Sequence, residues 1–487
     1  MKKLVFCFDG TWNKIESDYP TNVARIAQAV SHFDGDGTPQ IVHYDEGVGT
    51  SEVGKVLSWI GNRIAGGFGL GLQQNIVEAY TFLILNYDPG DQIYVFGFSR
   101  GAITARSFVG LLRNSAVMPR RYLGRIREAV SRYIDRSDAT SPNSLDSRFF
   151  RYQNCPDACL ESDLDWLDQA FPEHDHRSKP RLQVEYLGVW DTVGALGVPK
   201  GFGIASFINR KFQFHDTTLT SFVSRACHAV AADELRGTFE PTMWTNLSEL
   251  NQAVPGSYQQ KIFPGTHSSV GGGGPIRGLS DAALEWIYRG ARDAGLAFDT
   301  DVKSPLFGML PDHRAPLHNE IAKHKWSRKD KLLGSGLKDR TFPALTLDDL
   351  HASVVRRWHD KTVKLGPDGI YRPSSLWSIF KEIEEHPPTT DVTVDAELFE
   401  GIRSSDGGLD PPVRVEKYTI RAQDTLPRIA EQKMGDPKMW KALFLHNFRA
   451  GILFHPNELH ALREIEIPFF IRKNVTVRRL PAALPPT

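Results

Sequence analysis

The chain has 487 residues, enough for two to four domains and a sizeable core. Lys plus Arg and Asp plus Glu are equal at 58 each, with 41% hydrophobic and 24% charged residues. That balance is ordinary for a soluble protein and gives no global basic field for nucleic acid or for an anionic bilayer, so any membrane contact has to be local and apolar. Four cysteines, Cys7, Cys155, Cys159 and Cys227, are too few for a disulfide framework. Cys155-x-x-x-Cys159 has no second ligand pair nearby, so neither a metal nor another cofactor is expected.

Met1-Lys2-Lys3 precedes only about five apolar residues, too few for a secretory signal. The Gly-rich apolar stretch 56–87 is interrupted by Arg63, Gln73, Gln74, Asn75 and Glu78 and fails the membrane-spanning criterion. The expectation is a protein made in the cytoplasm that reaches any other compartment by a signal-independent route.

Residues 4–8 read as a buried strand ending in Asp9-Gly10-Thr11-Trp12-Asn13. An aspartyl-phosphate phosphatase would need its nucleophilic Asp where Cys7 stands, which removes that reading. Two remain: a loop whose Gly10 or Thr11 N–H is an oxyanion donor, or a structural Asx-turn set by Asp9. A helix over 22–30 capped by Thr21, a strand over 41–44, a Gly-rich loop 45–50 and a helix over 72–85 follow. Residues 93–98 form a third strand that stops at Gly97-Phe98-Ser99-Arg100-Gly101, and a helix-compatible run begins at Ala102. Strand, tight turn and helix around Gly-x-Ser-x-Gly lift a serine hydroxyl clear of the backbone and aim the helix N-terminus at a developing oxyanion. Ser99 is the expected nucleophile, with the Arg100 N–H as first oxyanion donor.

Residues 119–180 break the strand–helix rhythm and read as an insertion, either lid-like beside the site or a solvated helical excursion. A strand over 184–190 ends at Asp191, where the acid of a Ser–Asp–His hydrolase falls in chain order; a helix-capping Asp is the alternative. The stretch 198–216 carries Phe202, Ile204, Phe207, Ile208, Phe212 and Phe214, suited to contacting lipid if exposed and to lid packing if buried. Residues 219–232 read as a helix containing His228. A last strand over 260–264 precedes His267, which completes the order Ser99, Asp191, His267; His215 and His228 are rivals for the base. Ser280 is the expected cap of a helix over 281–294. Residues 301–385 read as a helical extension without a chemical motif, 386–412 as a linker, 413–475 as a compact β-α-α-β unit and 476–487 as a tail.

The five motifs Phe8-Asp9-Gly10-Thr11-Trp12-Asn13, Asp45-Glu46-Gly47-Val48-Gly49-Thr50, Gly97-Phe98-Ser99-Arg100-Gly101-Ala102, Gly188-Val189-Trp190-Asp191-Thr192-Val193-Gly194 and Phe263-Pro264-Gly265-Thr266-His267-Ser268 occur in that order. Together they resemble the bacterial α/β-hydrolase family that includes phospholipase effectors of type VI secretion. The resemblance spans roughly residues 1–295 and implies an α/β fold, a mainly parallel sheet with helical insertions, in a catalytic domain over 1–300. It also implies a lipase or A-type phospholipase using Ser99, His267 and Asp191 on a lipid substrate, with transient membrane contact. The family has an acidic residue where Ser269 stands. The unit 413–475 resembles a LysM module through Tyr418-Thr419-Ile420, Asp424-Thr425-Leu426, Asn447 and Ile465-Glu466-Ile467-Pro468. Peptidoglycan or a secretion-apparatus protein is its implied partner, and an effector of this kind implies a cognate immunity protein. A contrasting reading is a cell-envelope binding or delivery protein whose esterase site is weak.

Overall fold

The computed structural model describes residues 1–10, 15–47, 66–135, 137–194, 218–299, 304–306, 309, 311–317, 337–361, 371–388, 414–421, 424–435, 439–449, 452 and 464–469. The chain forms two compact units, Met1–Val392 and Thr393–Thr487. The division falls inside the expected linker, most of which lies outside the described residues.

The first unit is built on six parallel strands: β1 (Lys3–Phe8), β2 (Gln40–Asp45), β3 (Gln92–Phe98), β4 (Val184–Trp190), β5 (Val223–Ala231) and β6 (Tyr258–Phe263). Their order is β2-β1-β3-β4-β5-β6. The chain therefore reverses its winding direction between β1 and β3, and the crevice beyond the carboxyl ends of those strands is where open α/β sheets place their ligands. Register carries the neighbouring ends to one level: Phe8 lies beside Gly97, and Phe98 beside Trp190. Asp9, Ser99 and Asp191 thus leave the sheet along a common edge.

Every residue of β1 is buried, because helices cover both faces of the sheet. On one face Phe6 meets Phe108 of the helix Arg100–Ser115 at 4.7 Å and Phe82 of the helix Gly66–Asn86 at 5.8 Å. On the other face lie the helices Asn22–Ala29 and Gly278–Asp293. Gly188 leaves room there for Ile287, and the Tyr186 hydroxyl donates to the Ile287 carbonyl at 2.9 Å.

Two expectations change. Residues 223–231 form β5 rather than a helix: the strand is buried on both faces from Ala226 onward, so it lacks the alternation that marks a strand, and its alanines are equally helix-compatible. The helix expected from Asp281 begins at Gly278, and Ser280 donates to the Arg277 carbonyl instead of capping. The described residues of the insertion 119–180 pack against the C-terminal half of the helix Arg100–Ser115: Arg151 donates to the Arg113 and Asn114 carbonyls, and Asn114 donates to that of Thr140. The internal pairing of Arg151 with Asp163, at 2.7 Å on both arms, fixes it there.

The extension after residue 300 packs within the first unit against the edge of the sheet. Val354, Trp358, Tyr371, Leu376 and Ile383 form a core with Val230 and Ile262, and the His351 amide donates to the Ile262 carbonyl at 2.9 Å, covering the β6 edge. In the second unit β7 (Arg414–Thr419) pairs antiparallel with β8 (Glu464–Phe469). The helices Leu426–Met434 and Trp440–Arg449 lie between them in sequence. Thr425 caps the first helix through the Arg428 amide, and Asn447 donates to the Glu466 carbonyl while accepting from its amide.

Candidate active site

Ser99 occupies the turn between β3 and the helix Arg100–Ser115 with φ 58° and ψ −124°. A non-glycine residue in that region is strained and is held only where the surroundings over-determine it. Here its amide still donates to Trp190 O of the neighbouring strand at 3.1 Å, while the helix begins one residue later. Two glycines permit the turn. A Cβ on Gly101 would stand 2.2 Å from the Phe8 carbonyl oxygen, and one on Gly97 would stand 2.6 Å from that of Gly101.

The structure brings Ser99, His267 and Asp191 together. Ser99 Oγ lies 2.7 Å from His267 Nε2, and His267 Nδ1 lies 2.5 Å from Asp191 Oδ2. All three are buried, with Ser99 7% and His267 4% exposed. His267 opens the five-residue helix His267–Gly271 after β6. Its ring sits between Phe98, with centroids 4.6 Å apart, and the edge-on ring of Phe239 at 4.8 Å. Its amide donates to Glu234 Oε2 at 3.2 Å, and Arg236 in turn grips Glu234 through both arms, at 2.7 and 2.8 Å. Glu234 thus places a carboxylate beside His267 even though serine stands at 269, where Ser269 Oγ instead meets Thr266 Oγ1 at 3.1 Å.

Asp191 also has a positive φ, 36°, at the end of β4. Its Oδ1 accepts from the Ala231 amide at 2.9 Å. Complete burial would raise its pKa, but Arg340 and His267 together outweigh that and hold the carboxyl far below the usual range, so it stays ionised. Arg340 comes from the extension. Its Nη1 donates to Asp191 Oδ1 at 2.6 Å and to the Ala231 carbonyl at 2.6 Å; its Nη2 donates to Asp191 Oδ2 at 2.9 Å and to the Phe239 carbonyl at 2.6 Å. Nothing in the sequence around Arg340 announces this contact, which spans 149 positions.

The other candidates divide. His228 lies on β5, accepts from the Thr192 amide at 3.2 Å and faces Gln260 Oε1 at 2.9 Å. Burial pushes its pKa down to about 3, so it is neutral and buttresses the loop after Asp191. The Gly10 amide donates to Asp9 Oδ1 at 2.6 Å, and Asp9 Oδ2 accepts from Thr21 Oγ1 at 2.5 Å and from the Tyr44 hydroxyl at 2.7 Å. The Gly10 N–H is thus directed at the Asp9 carboxylate of its own neighbour. Arg100 is the first residue of the helix after Ser99, and its guanidinium pKa is brought down to about 10 by burial. Thr11, His215 and the apolar candidates Phe202, Ile204, Phe207, Ile208, Phe212 and Phe214 lie outside the described residues. Among the described residues, no cluster of His, Cys, Asp and Glu could hold a metal, and no helix is long and apolar enough to cross a membrane.

Residues 2–290 match the family model of the type VI secretion phospholipase effector Tle1-like catalytic domain. An uncharacterized protein of Saccharomyces cerevisiae, YEL023C, is 26% identical over 274 residues, which are 55% of this chain and 35% of that protein. The chain thus spans about a third of the length of this curated relative. Among solved structures, the Tle1 effector bound to the VgrG spike of the type VI secretion system is 18% identical, covers 56% of this chain and 52% of its own, and has a TM-score of 0.27. An uncharacterized protein from Pseudomonas aeruginosa is 16% identical, covers 94% and 75%, and has a TM-score of 0.35.

Proposed function

The chain belongs to the type VI secretion Tle1-like phospholipase effector family, and on that premise we propose that it cleaves carboxylic esters of phospholipids by a Ser–His–Asp mechanism of the A type. One observation carries the reading: the continuous line from Ser99 Oγ through His267 to the ionised Asp191, built on a strained turn at the switch point of a parallel sheet. His267 Nε2 takes the hydroxyl proton as Ser99 Oγ attacks the acyl carbonyl, and Asp191 holds the ring with Nδ1–H toward it and stabilises the imidazolium. The proton passes to the departing lysolipid oxygen, and water then releases the fatty acid from the acyl-enzyme. With the Gly10 amide engaged by Asp9, the Arg100 N–H and the amide of Thr11 are the donors assigned to the oxyanion.

A cavity of about 520 Å³ lies along the helix that follows Ser99, and none of the three residues of the triad lines it. Arg106, two helical turns from Ser99, is on its wall, and Val109, Ile134, Leu187, Val223 and Trp244 make much of the lining apolar. The insertion contributes a wall to this cavity through Val130, Tyr133 and Ile134. The test is covalent. A fluorophosphonate probe is expected to label wild type at Ser99, with labelling lost in Ser99→Ala and His267→Ala; labelling of a folded Ser99→Ala variant would remove Ser99 from the mechanism.

For the second unit we propose a LysM-like docking role, toward peptidoglycan or a secretion-apparatus protein, supported by its β-α-α-β order and the buried Asn447. Export by type VI secretion and a cognate immunity protein belong to the same reading. Peptidoglycan pull-down by the full chain and not by a chain ending at residue 392 would support the glycan partner; no pull-down by either would leave the protein partner.

A further inference from the structure

The extension after residue 300 lies outside the matched catalytic domain, residues 2–290, yet it reaches the centre of the site. From the two-pronged contact of its guanidinium with the Asp191 carboxylate we propose that Arg340 is a positioning residue for hydrolysis, so that the working catalytic unit includes the extension. The inference rests on the Ser99–His267–Asp191 reading.

The geometry supplies the argument. Asp191 must present one lone pair to His267 Nδ1–H in a fixed plane. A carboxylate held only by the Ala231 amide and the imidazole could rotate about its χ2 bond. The planar fork of Arg340 bonds both oxygens, and the carbonyls of Ala231 and Phe239 fix the fork in turn. Phe239 also closes one side of the His267 ring, so Arg340 braces two of the groups that orient the imidazole. Arg340 is itself 6% exposed. Neighbouring contacts tie the same extension to the loops that carry the site: the Tyr371 hydroxyl donates to Asp233 Oδ2 at 2.9 Å, Asp233 accepts from the amide of Gly265, and Ser375 donates to the Ala232 carbonyl at 2.8 Å.

The second consequence is electrostatic. The charged and titratable groups around the Asp191–His267 pair are Arg340 on the extension, Glu234 with its partner Arg236 after β5, neutral His228 on β5, Arg106 on the helix after Ser99, and Asp233 with Tyr371 and Arg357 behind the histidine loop. Glu234 is already neutralised by Arg236, which leaves Arg340 as the cation bonded directly to Asp191. Without it, the full Asp191 charge would act on the imidazole and hold its proton more tightly. The enzyme would then require a higher pH to expose the basic Nε2.

The test compares Arg340→Gln, Arg340→Lys and Ser99→Ala in the full chain on a soluble short-chain ester, with folding checked by circular dichroism. For Arg340→Gln the expected result is a loss on the order of 10²-fold carried by kcat with KM little changed. Its acid limb of kcat/KM should also move up by about one pH unit. Arg340→Lys, which keeps the charge and loses the fork, is expected to return the acid limb to the wild-type position while recovering only part of kcat. A folded Arg340→Gln enzyme with wild-type kcat and an unmoved acid limb overturns the proposal. If that variant does not fold, Arg340→Lys decides: wild-type kcat overturns the proposal, and a reduced kcat with an unmoved acid limb supports it. Ser99→Ala separates the two readings, since retained activity there would remove the triad itself whatever Arg340 does.

Discussion

Replacing Asp191 by asparagine changes one atom and reverses the hydrogen-bond logic of the site. The carboxylate accepts four bonds: from the Ala231 amide and Arg340 Nη1 on Oδ1, and from His267 and Arg340 Nη2 on Oδ2. An amide has one oxygen. Placed at the Oδ1 position, it keeps two donors satisfied and turns an NH₂ toward His267. The imidazole then has to accept at Nδ1 and carry its proton on Nε2, facing Ser99 Oγ, so the hydroxyl loses its base. A wrong tautomer of this kind costs about 10⁴ in kcat. Four decades at about 1.36 kcal/mol each give about 5.4 kcal/mol of lost transition-state stabilisation. Stability should fall as well, by about 3–5 kcal/mol, because the buried Arg340 guanidinium loses its counter-charge. The assay is initial-rate hydrolysis of a soluble ester near pH 8 by folded Asp191→Asn protein, alongside its thermal melt. A kcat within tenfold of wild type would refute the argument that Asp191 sets the histidine tautomer.

Further outcomes follow from other contacts. A Cβ on Gly271 would stand 2.0 Å from the Phe98 ring that packs on His267, so Gly271→Ala should lower both kcat and the melting temperature, at about 1–3 kcal/mol of overpacking; an unchanged kcat would show that the ring does not fix the imidazole. Thr21 caps the helix Asn22–Ala29 and donates to Asp9, so Thr21→Val should cost about 1–2 kcal/mol in urea denaturation, and a loss under a few tenths would contradict both roles. Burial holds His351 down at about 3, whereas in the unfolded chain it protonates near pH 6.5. Protons therefore favour the unfolded chain between those values, and stability from the neutral ring is lost as pH falls below about 6.5. The stability advantage of wild type over His351→Gln should shrink by about 2 kcal/mol from pH 7.5 to 5.0; equal differences at both would contradict the buried neutral state.

How much of this was legible before the structure depends on whether the signal was local. β1, β3 and β4 are short apolar runs that end in turn residues, and the Gly97-Phe98-Ser99-Arg100-Gly101 turn states its geometry in five positions. Chain order then led from Ser99 to Asp191 and His267, which the fold brings within hydrogen-bonding distance. β5 was misread because burial on both faces erases alternation, and with it His228 was assigned to a helix when it buttresses the loop after Asp191. The Asp9 loop leaves two readings open because an Asx-turn and an oxyanion loop use the same residues, of which Thr11 lies outside the described ones. Arg340 was out of reach altogether. A bond across 149 positions from a segment without a motif leaves no trace in spacing, periodicity or composition.

The central claim is tested most directly by fatty-acid release from phospholipid vesicles, measured for wild type and Ser99→Ala side by side, with a short-chain soluble ester in parallel. The account predicts release from vesicles by wild type and a loss on the order of 10³-fold or more in the variant. Equal release by both proteins, or serine-dependent cleavage of the soluble ester without any release from vesicles, would contradict it.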